Sequence, residues 1–263
     1  MLCTPEWIEQ RLAGAGRLWL FLDYDGTLAD FALTPDDVSP DPELIAFLAR
    51  LVRCPHIDVG IISGRRLSQV RALLPVPGML LAGTYGVEIQ TQQGELLNRV
   101  GYDVIRPTLD LLKPRWRSLI EGHNGFFLED KGWSLALHGR FAKAGTAEQV
   151  LSEARRAALR LASTERFRML GGHRFLEIAP SLAHKGRTVE YVLDCLTAPG
   201  AVPLYLGDDD KDEEAFEVVK GRGGIAILVA SEPRETRADC RLPSPLAARQ
   251  WLRTLLRRLE GRI

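Results

Sequence analysis

Asp23 and Asp25 stand two positions apart in the stretch Leu18-Trp19-Leu20-Phe21-Leu22-Asp23-Tyr24-Asp25-Gly26-Thr27-Leu28, directly behind an unbroken apolar run. A short apolar run that stops abruptly predicts a strand covered on both faces, as in a parallel sheet. Ligand sites in such sheets lie beyond the carboxyl ends of the strands. Both carboxylates are therefore expected to project into a site, with Gly26 letting the chain turn sharply behind them. Paired carboxylates so placed suit phosphoryl transfer from a phosphate ester. One attacks phosphorus, and the other protonates the leaving alkoxide and later activates water. Because they repel a phosphate dianion, a hard cation with oxygen ligands is also expected, and Mg²⁺ fits.

Three further groups carry the same chemistry. Ser63-Gly64-Arg65 follows a second apolar run, 57–62. A Ser there can hydrogen-bond a phosphate oxygen, and Gly64 allows close backbone approach. Taken alone, Ser-Gly-Arg reads first as an ordinary turn or N-cap, and its place at the end of a strand is what favours the phosphate role. Gly207-Asp208-Asp209-Asp210-Lys211-Asp212-Glu213-Glu214 follows the run 202–206 and leads into Ala215-Phe216. An acidic cluster at such a strand–loop–helix junction makes an oxygen-lined cation site if its strand lies beside the first. Lys185 opens a helix and, near these groups, would neutralise the nucleophile and the transferring phosphoryl group.

The elements that must position these residues follow two grammars. Thr4-Pro5-Glu6 starts a helix carrying Trp7, Ile8 and Leu12, and Asp41-Pro42-Glu43 starts another. Strand then alternates with helix through residue 82, with a hairpin over 87–98 around Gln92-Gln93-Gly94. From about 103 the pattern is helix–strand–strand, twice over. A helix bearing Leu109, Leu112, Trp116 and Leu119 is expected to kink or break at Pro114. Lys131-Gly132 reads as a two-residue turn, which places Glu129 opposite Ser134, with His138 and Arg140 on the same face. Such a face is either a plain polar outer surface or a set of partners for sugar hydroxyls. Parallel grammar returns after Pro180, and a last helix carries Arg249, Arg253, Arg257 and Arg262, expected on a solvated face. The prediction is an α/β protein: a Rossmann-like parallel-sheet core, 1–102 and 181–263, with an inserted α+β cap domain, 103–180.

Asp23-x-Asp25-Gly-Thr, Ser63, Lys185 and Asp208-Asp209, in this order, resemble the four motifs of the haloacid dehalogenase superfamily of phosphatases. The resemblance implies Asp23 as nucleophile, Asp25 as general acid/base and Ser63 as phosphate ligand. It implies Mg²⁺ held by Asp23, Asp208 and the Asp25 carbonyl, with Asp209 and Asp212 orienting ligands. Glu129-Asp130-Lys131-Gly132-Trp133-Ser134 to His138-Gly139-Arg140, and Leu176-Glu177-Ile178-Ala179-Pro180, are similar to the cap motifs of trehalose-6-phosphate phosphatases. By that resemblance Glu129, Lys131 and Glu177 hold the distal glucose, His138 and Arg140 support them, and Ser63, Gly64 and Arg65 serve the phosphate. The chain departs from the subfamily pattern at Gly139 (usually Tyr), Lys211 (usually Thr) and Tyr85-Gly86 (usually His-Gly). Those departures bear on the sugar, so a phosphatase for another sugar phosphate stays open beside trehalose 6-phosphate. A phosphomutase would need a second phosphate site, against which Glu129 and Glu177 argue. A catalytically silent relative would have lost Asp23, Asp25, Lys185 or Asp208.

Over 263 residues, Lys+Arg and Asp+Glu both number 34, and the formal net charge is zero. That balance gives no reason to expect a nucleic acid or an anionic membrane as partner. A small-molecule sugar phosphate is expected instead, bound by a monomer or weak oligomer. Cys3, Cys54, Cys195 and Cys240 lie far apart, so reduced and mostly buried thiols are expected. With no stretch near the ~20 apolar residues of a membrane span and no signal-like segment, a cytoplasmic protein is expected.

Overall fold

The computed structural model describes residues 3, 16–31, 38–197 and 200–260. The helix expected at Thr4-Pro5-Glu6 lies outside them. The apolar run Leu18–Leu22 is strand β1, buried throughout. Leu18, Leu20 and Leu22 enter one core, while Trp19 and Phe21 enter another. Burial on both faces is why the run has no polar break.

The larger sheet also holds β2 (Ile57–Ile62), β3 (Leu80–Gly83), β4 (Glu88–Gln90), β5 (Leu96–Asn98), β10 (Val202–Gly207), β11 (Ile225–Val229) and β12 (Cys240–Leu242). Its order is β12-β11-β10-β1-β2-β3-β4-β5. It is parallel from β12 to β3, and β4 runs antiparallel to β3. The described helices are α1 (Pro42–Arg53), α2 (Leu67–Leu73), α3 (Tyr102–Ile120), α4 (Ala144–Leu161), α5 (Lys185–Cys195), α6 (Glu213–Gly221) and α7 (Pro245–Glu260). Helices α1, α2 and α7 pack on the Leu20 face of the sheet, and α5 and α6 on the Phe21 face. Local capping sets the helix starts: Asp41 accepts from Glu43 N and Leu44 N at α1, and Ser244 from Ala247 N at α7. Arg249 departs from the solvated face expected of α7, because it donates to Asp41 Oδ2 and to the Leu28 carbonyl, both at 2.5 Å.

The chain divides into two compact units, residues 1–97 with 184–263, and residues 98–183. The second extends past the expected 103 and 180. Val100 packs on its core, and the Ala183 carbonyl accepts from Arg168 at 3.2 Å. This unit has an antiparallel sheet of order β6-β7-β9-β8: β6 (Phe127–Asp130), β7 (Leu135–His138), β8 (Phe167–Gly172) and β9 (Phe175–Pro180). One face, with Leu135, Leu137, Leu176 and Ile178, packs on Ile105, Leu109, Leu112 and Trp116 of α3 and on Val150, Ala154 and Ala158 of α4.

In the second unit the structure corrects the break expected at Pro114 and the turn expected at Lys131-Gly132. Helix α3 passes unbroken through Pro107 and Pro114. Both prolines are exposed, so the carbonyls they leave unbonded open to water. The β6–β7 connection is longer than two residues. Asp130 pairs with Leu135 and Glu129 with Ala136, and Lys131 N bonds the Ser134 carbonyl at 2.9 Å. The register shift is two residues, so Glu129 keeps the face of Ser134 and His138.

The expectation of reduced thiols also fails for one pair. Cys3 and Cys240 form a disulfide across a separation of 237 residues. Cys3 lies alongside β12, its N–H bonding the Arg241 carbonyl, which is a proximity no local spacing reveals. Cys54 and Cys195 are free thiols. No helix among the described residues is long and apolar enough to cross a membrane.

Candidate active site

Strand register brings the sequence motifs to one edge of the larger sheet. Leu22 pairs with Leu206 on one side and Ile61 on the other. Asp23, Asp208 and Ser63 therefore follow the carboxyl ends of three adjacent parallel strands, where open α/β sheets bind ligands. Asp23 N bonds the Leu206 carbonyl at 2.9 Å, and Ser63 N bonds the Ala82 carbonyl at 2.9 Å. Gly26 is required twice over. Its φ is +87°, and a Cβ there would lie 2.3 Å from Asp208 Oδ2.

Lys185, the first residue of α5, joins the strand ends. Its Nζ donates to Asp23 Oδ1 at 2.7 Å and to Asp212 Oδ1 at 2.6 Å. Burial works against the ammonium, but the Asp212 and Asp23 carboxylates outweigh it and hold Lys185 charged. Carboxylate oxygens of Asp23, Asp208 and Asp212 lie within 4.8 Å of one another. Burial pushes the Asp23 carboxyl up, against the pull of Lys185, and the charges of Asp212 and Asp208 add to the rise. Asp208 is pushed up to about 7, by burial first and by Asp212 next. Oxygen donors so crowded around a single ammonium carry an excess of negative charge, which is the donor set a hard divalent cation relieves.

The hydrogen bonds separate supports from open donors. Asp212 accepts from Lys185, from Tyr205 Oη at 2.7 Å, and from the backbone N–H groups of Asp208 and Asp209 at 3.0 Å each. Four donors occupy the lone pairs of one carboxylate, so Asp212 holds the loop, while Asp23 and Asp208, with fewer donors, keep lone pairs for a further ligand. Thr27 Oγ1 donates to Asp208 Oδ1 at 2.9 Å. Asp209 stands outside the group of three. Lys211 Nζ donates to its Oδ2 at 2.7 Å and Lys211 N to its Oδ1 at 2.8 Å. Burial opposes that charge, yet Lys185 and Lys211 hold the Asp209 carboxyl below the usual range. The unusual Lys211 is thereby engaged locally. Tyr205 and Thr27 carried no sequence signal beyond membership of the motifs.

Asp25 is held by Arg65. Nε donates to Oδ2 and Nη2 to Oδ1, each at 2.7 Å. Ser63 Oγ accepts from Arg65 N at 3.1 Å, which leaves its hydroxyl proton to donate elsewhere. Thr84 and Tyr85 have φ of 48° and 55°, uncommon for non-glycine residues and a mark of functional neighbourhoods. Their N–H groups bond the Arg65 carbonyl at 2.7 Å and the Ser63 carbonyl at 2.8 Å. Tyr85 also crowds Gly64, where a Cβ would lie 2.7 Å from the phenol oxygen.

In the second unit Glu129 and Glu177 both pair with Ala136, one from each side. Their side chains share the sheet face away from the helices, two strand spacings or roughly 10 Å apart. His138 Nε2 lies 3.0 Å from Glu129 Oε2 and its ring stacks on Phe127 at 4.0 Å. Lys131 Nζ donates to Glu177 Oε2 at 3.2 Å, and Ser134 Oγ to Glu177 Oε1 at 2.5 Å. Arg140 lies past the end of β7, exposed. Asp130 anchors the loop bearing Lys131: it accepts from Arg106, Lys113 and Gly132 N. At Gly139 a Cβ would meet the Phe126 ring at 2.8 Å, so Phe126 occupies the space beside the missing side chain.

Fold and acidic cluster together define the class, an α/β core of the haloacid dehalogenase type. The C-terminal domain of trehalose-6-phosphate phosphatase from C. albicans superposes with a TM-score of 0.83 at 20% identity, covering 97% of each chain. A trehalose 6-phosphate phosphatase of Zea mays is 30% identical over 261 residues, covering 92% of this chain and 71% of that protein. A trehalose-phosphate phosphatase of Mycobacterium marinum is 32% identical over 228 residues, covering 85% of this chain and 56% of that protein. The Trehalose-phosphatase family model matches residues 21–245. The chain belongs to the trehalose-phosphatase family, whose members are phosphoric monoester hydrolases.

Proposed function

We propose that this chain hydrolyses trehalose 6-phosphate to trehalose and inorganic phosphate, with Mg²⁺ and an aspartyl-phosphate on Asp23. The observation that carries this is Lys185 bonded to Asp23 Oδ1, with Asp208 beside it, at the carboxyl ends of β1 and β10. Lys185 holds Asp23 through Oδ1, and a carboxylate oxygen of Asp23 is the nucleophile. It forms the new bond to phosphorus, while the bond from phosphorus to the sugar oxygen breaks and its electron pair leaves with that oxygen. The oxygen takes its proton from the Asp25 carboxyl. Asp25 then accepts a proton from water as the water oxygen attacks phosphorus, releasing phosphate and regenerating Asp23. The Ser63 hydroxyl and the Lys185 ammonium face the developing charge.

Asp23 and Asp208 side chains and the Asp25 carbonyl would hold Mg²⁺, with Asp212 and Asp209 fixing the loop behind them. When bound, the ion supplies positive charge against the phosphate oxygens. The unit 98–183 is read as the cap domain and the other unit as the catalytic core. On the cap, Glu129, Lys131 and Glu177 take the sugar hydroxyls, with His138 and Arg140 in support. Carboxylates and an ammonium shaped for hydroxyls reject a sugar that leaves them buried and unpaired.

The test is phosphate release from a panel of sugar phosphates, with Mg²⁺ and with EDTA, for wild type and Asp23→Asn. Expected are preference for trehalose 6-phosphate, loss of turnover on chelation, and a fall of several orders of magnitude for Asp23→Asn. Preference for a monosaccharide phosphate would move the substrate to another sugar ester. Asp23→Asn activity within about tenfold of wild type would remove the covalent step.

A further inference from the structure

We propose that Arg65 is a positioning residue that acts through Asp25, and that it does not bind the phosphate. This rests on Asp23 and Asp25 being the phosphotransfer pair. The Arg65 fork closes on both oxygens of Asp25, at 2.7 Å each. A bidentate pair fixes the plane of a carboxylate as well as its place. The Asp25 side chain is 24% exposed, against 9% for Arg65, so the arginine is the buried anchor and the aspartate the group it presents.

The anchor is itself over-determined. Arg65 N bonds Ser63 Oγ at 3.1 Å, and its carbonyl accepts from Thr84 N at 2.7 Å. Its guanidinium lies 5.9 Å from the centre of the Tyr24 ring. The Thr84–Tyr85 turn that grips it has positive φ at two non-glycine residues, and Thr188 Oγ1 on α5 bonds the Tyr85 carbonyl at 2.8 Å. Backbone conformations that L side chains rarely adopt persist where the surroundings enforce them. In this site they aim the Arg65 fork. Asp25 must give a proton to the leaving oxygen and take one from water at nearly one geometry, and a half-buried carboxylate free to rotate would meet neither well.

The experiment uses Arg65→Gln and Arg65→Lys with p-nitrophenyl phosphate, so that the sugar assignment plays no part. It also measures calorimetric binding of inorganic phosphate with Mg²⁺ present. Expected is a fall in kcat of roughly 10–100-fold for both variants, because misplacement of a reacting group by about 1 Å costs that much. KM and the phosphate Kd should stay within about twofold, since no phosphate contact is lost. Arg65→Lys should recover the wild-type Tm without recovering kcat, since an ammonium cannot form two parallel bonds to one carboxylate. A phosphate Kd raised about tenfold or more in Arg65→Gln would make Arg65 a phosphate ligand and overturn the proposal. So would unchanged kcat with a lowered Tm, which marks a merely structural ion pair. Asp25→Asn is measured alongside: if it turns over like wild type, the phosphotransfer pair itself is wrong, an outcome distinct from either failure of Arg65.

Discussion

Asp212 shows how much of the site is support. A carboxylate with four donors around it has no open oxygen, yet it sets where Lys185, Asp208 and Asp209 stand. Gly207 leaves room for it, since a Cβ there would lie 2.3 Å from Asp212 Cγ. Gly207→Ala therefore has to displace a side chain that four hydrogen bonds hold. The expected cost is ~1–3 kcal/mol of stability, as for other overpacked sites, and roughly a 100-fold loss of kcat from misplacement at the site. Thermal unfolding and p-nitrophenyl phosphate turnover check both. A variant with wild-type kcat would show that the Asp212 network does not position the reacting groups.

At the scale of the element, the β6–β7 hairpin presents Glu129 and Lys131 because its loop is tied down by charge. Arg106 first, and Lys113 with it, hold the Asp130 carboxyl far below the usual carboxylate range, against the opposing effect of burial. A carboxylate whose folded pKa is depressed stabilises the fold above its unfolded pKa, about 3.9. That contribution is lost as pH falls below about 3.9 toward the folded value. The Asp130 side chain is 20% exposed, and solvent screens part of the pairing. Asp130→Asn should therefore cost about 1–2 kcal/mol at pH 7, and the gap from wild type should narrow below about pH 4. Urea denaturation across that range measures it, and a gap that does not change with pH would show that the Asp130 charge is not what holds the loop.

On the scale of the whole molecule, the residues of the proposed mechanism divide between the two units. Asp23, Asp25, Ser63, Lys185 and Asp208 lie in the unit 1–97 with 184–263, and Glu129, Lys131, His138 and Glu177 in the unit 98–183. If the second unit selects the sugar, Glu129→Ala and Glu177→Ala should lower kcat/KM on trehalose 6-phosphate by about 100-fold or more. Turnover of p-nitrophenyl phosphate, which has no sugar, should be nearly unchanged. Equal losses on both substrates would instead mean that these carboxylates support the fold. Glu177 is the sharper case, because it is fully buried with Lys131 and Ser134 on its two oxygens, so its removal is to be read beside a Tm.

The α/β class was legible in the chain because it depends on local facts. A strand buried on both faces must be apolar at every position, as Leu18–Leu22 is, and the residues directly after such a strand must turn at the sheet edge where ligands bind. Hairpins and amphipathic helices are likewise written in neighbouring residues, whereas the bounds of the second unit, 98 and 183, depend on which segments pack together. The tertiary structure decided what no spacing encodes. It paired Arg65 with Asp25 across 40 residues, put four donors on Asp212, joined Cys3 to Cys240 and set the β6–β7 register two residues from the expected one. It also carried α3 through Pro114, because that proline faces water. Each of these turns on which distant groups come within hydrogen-bonding or bonding reach. Packing and register fix that reach, whereas residue type and order decide only which chemistry each group can offer.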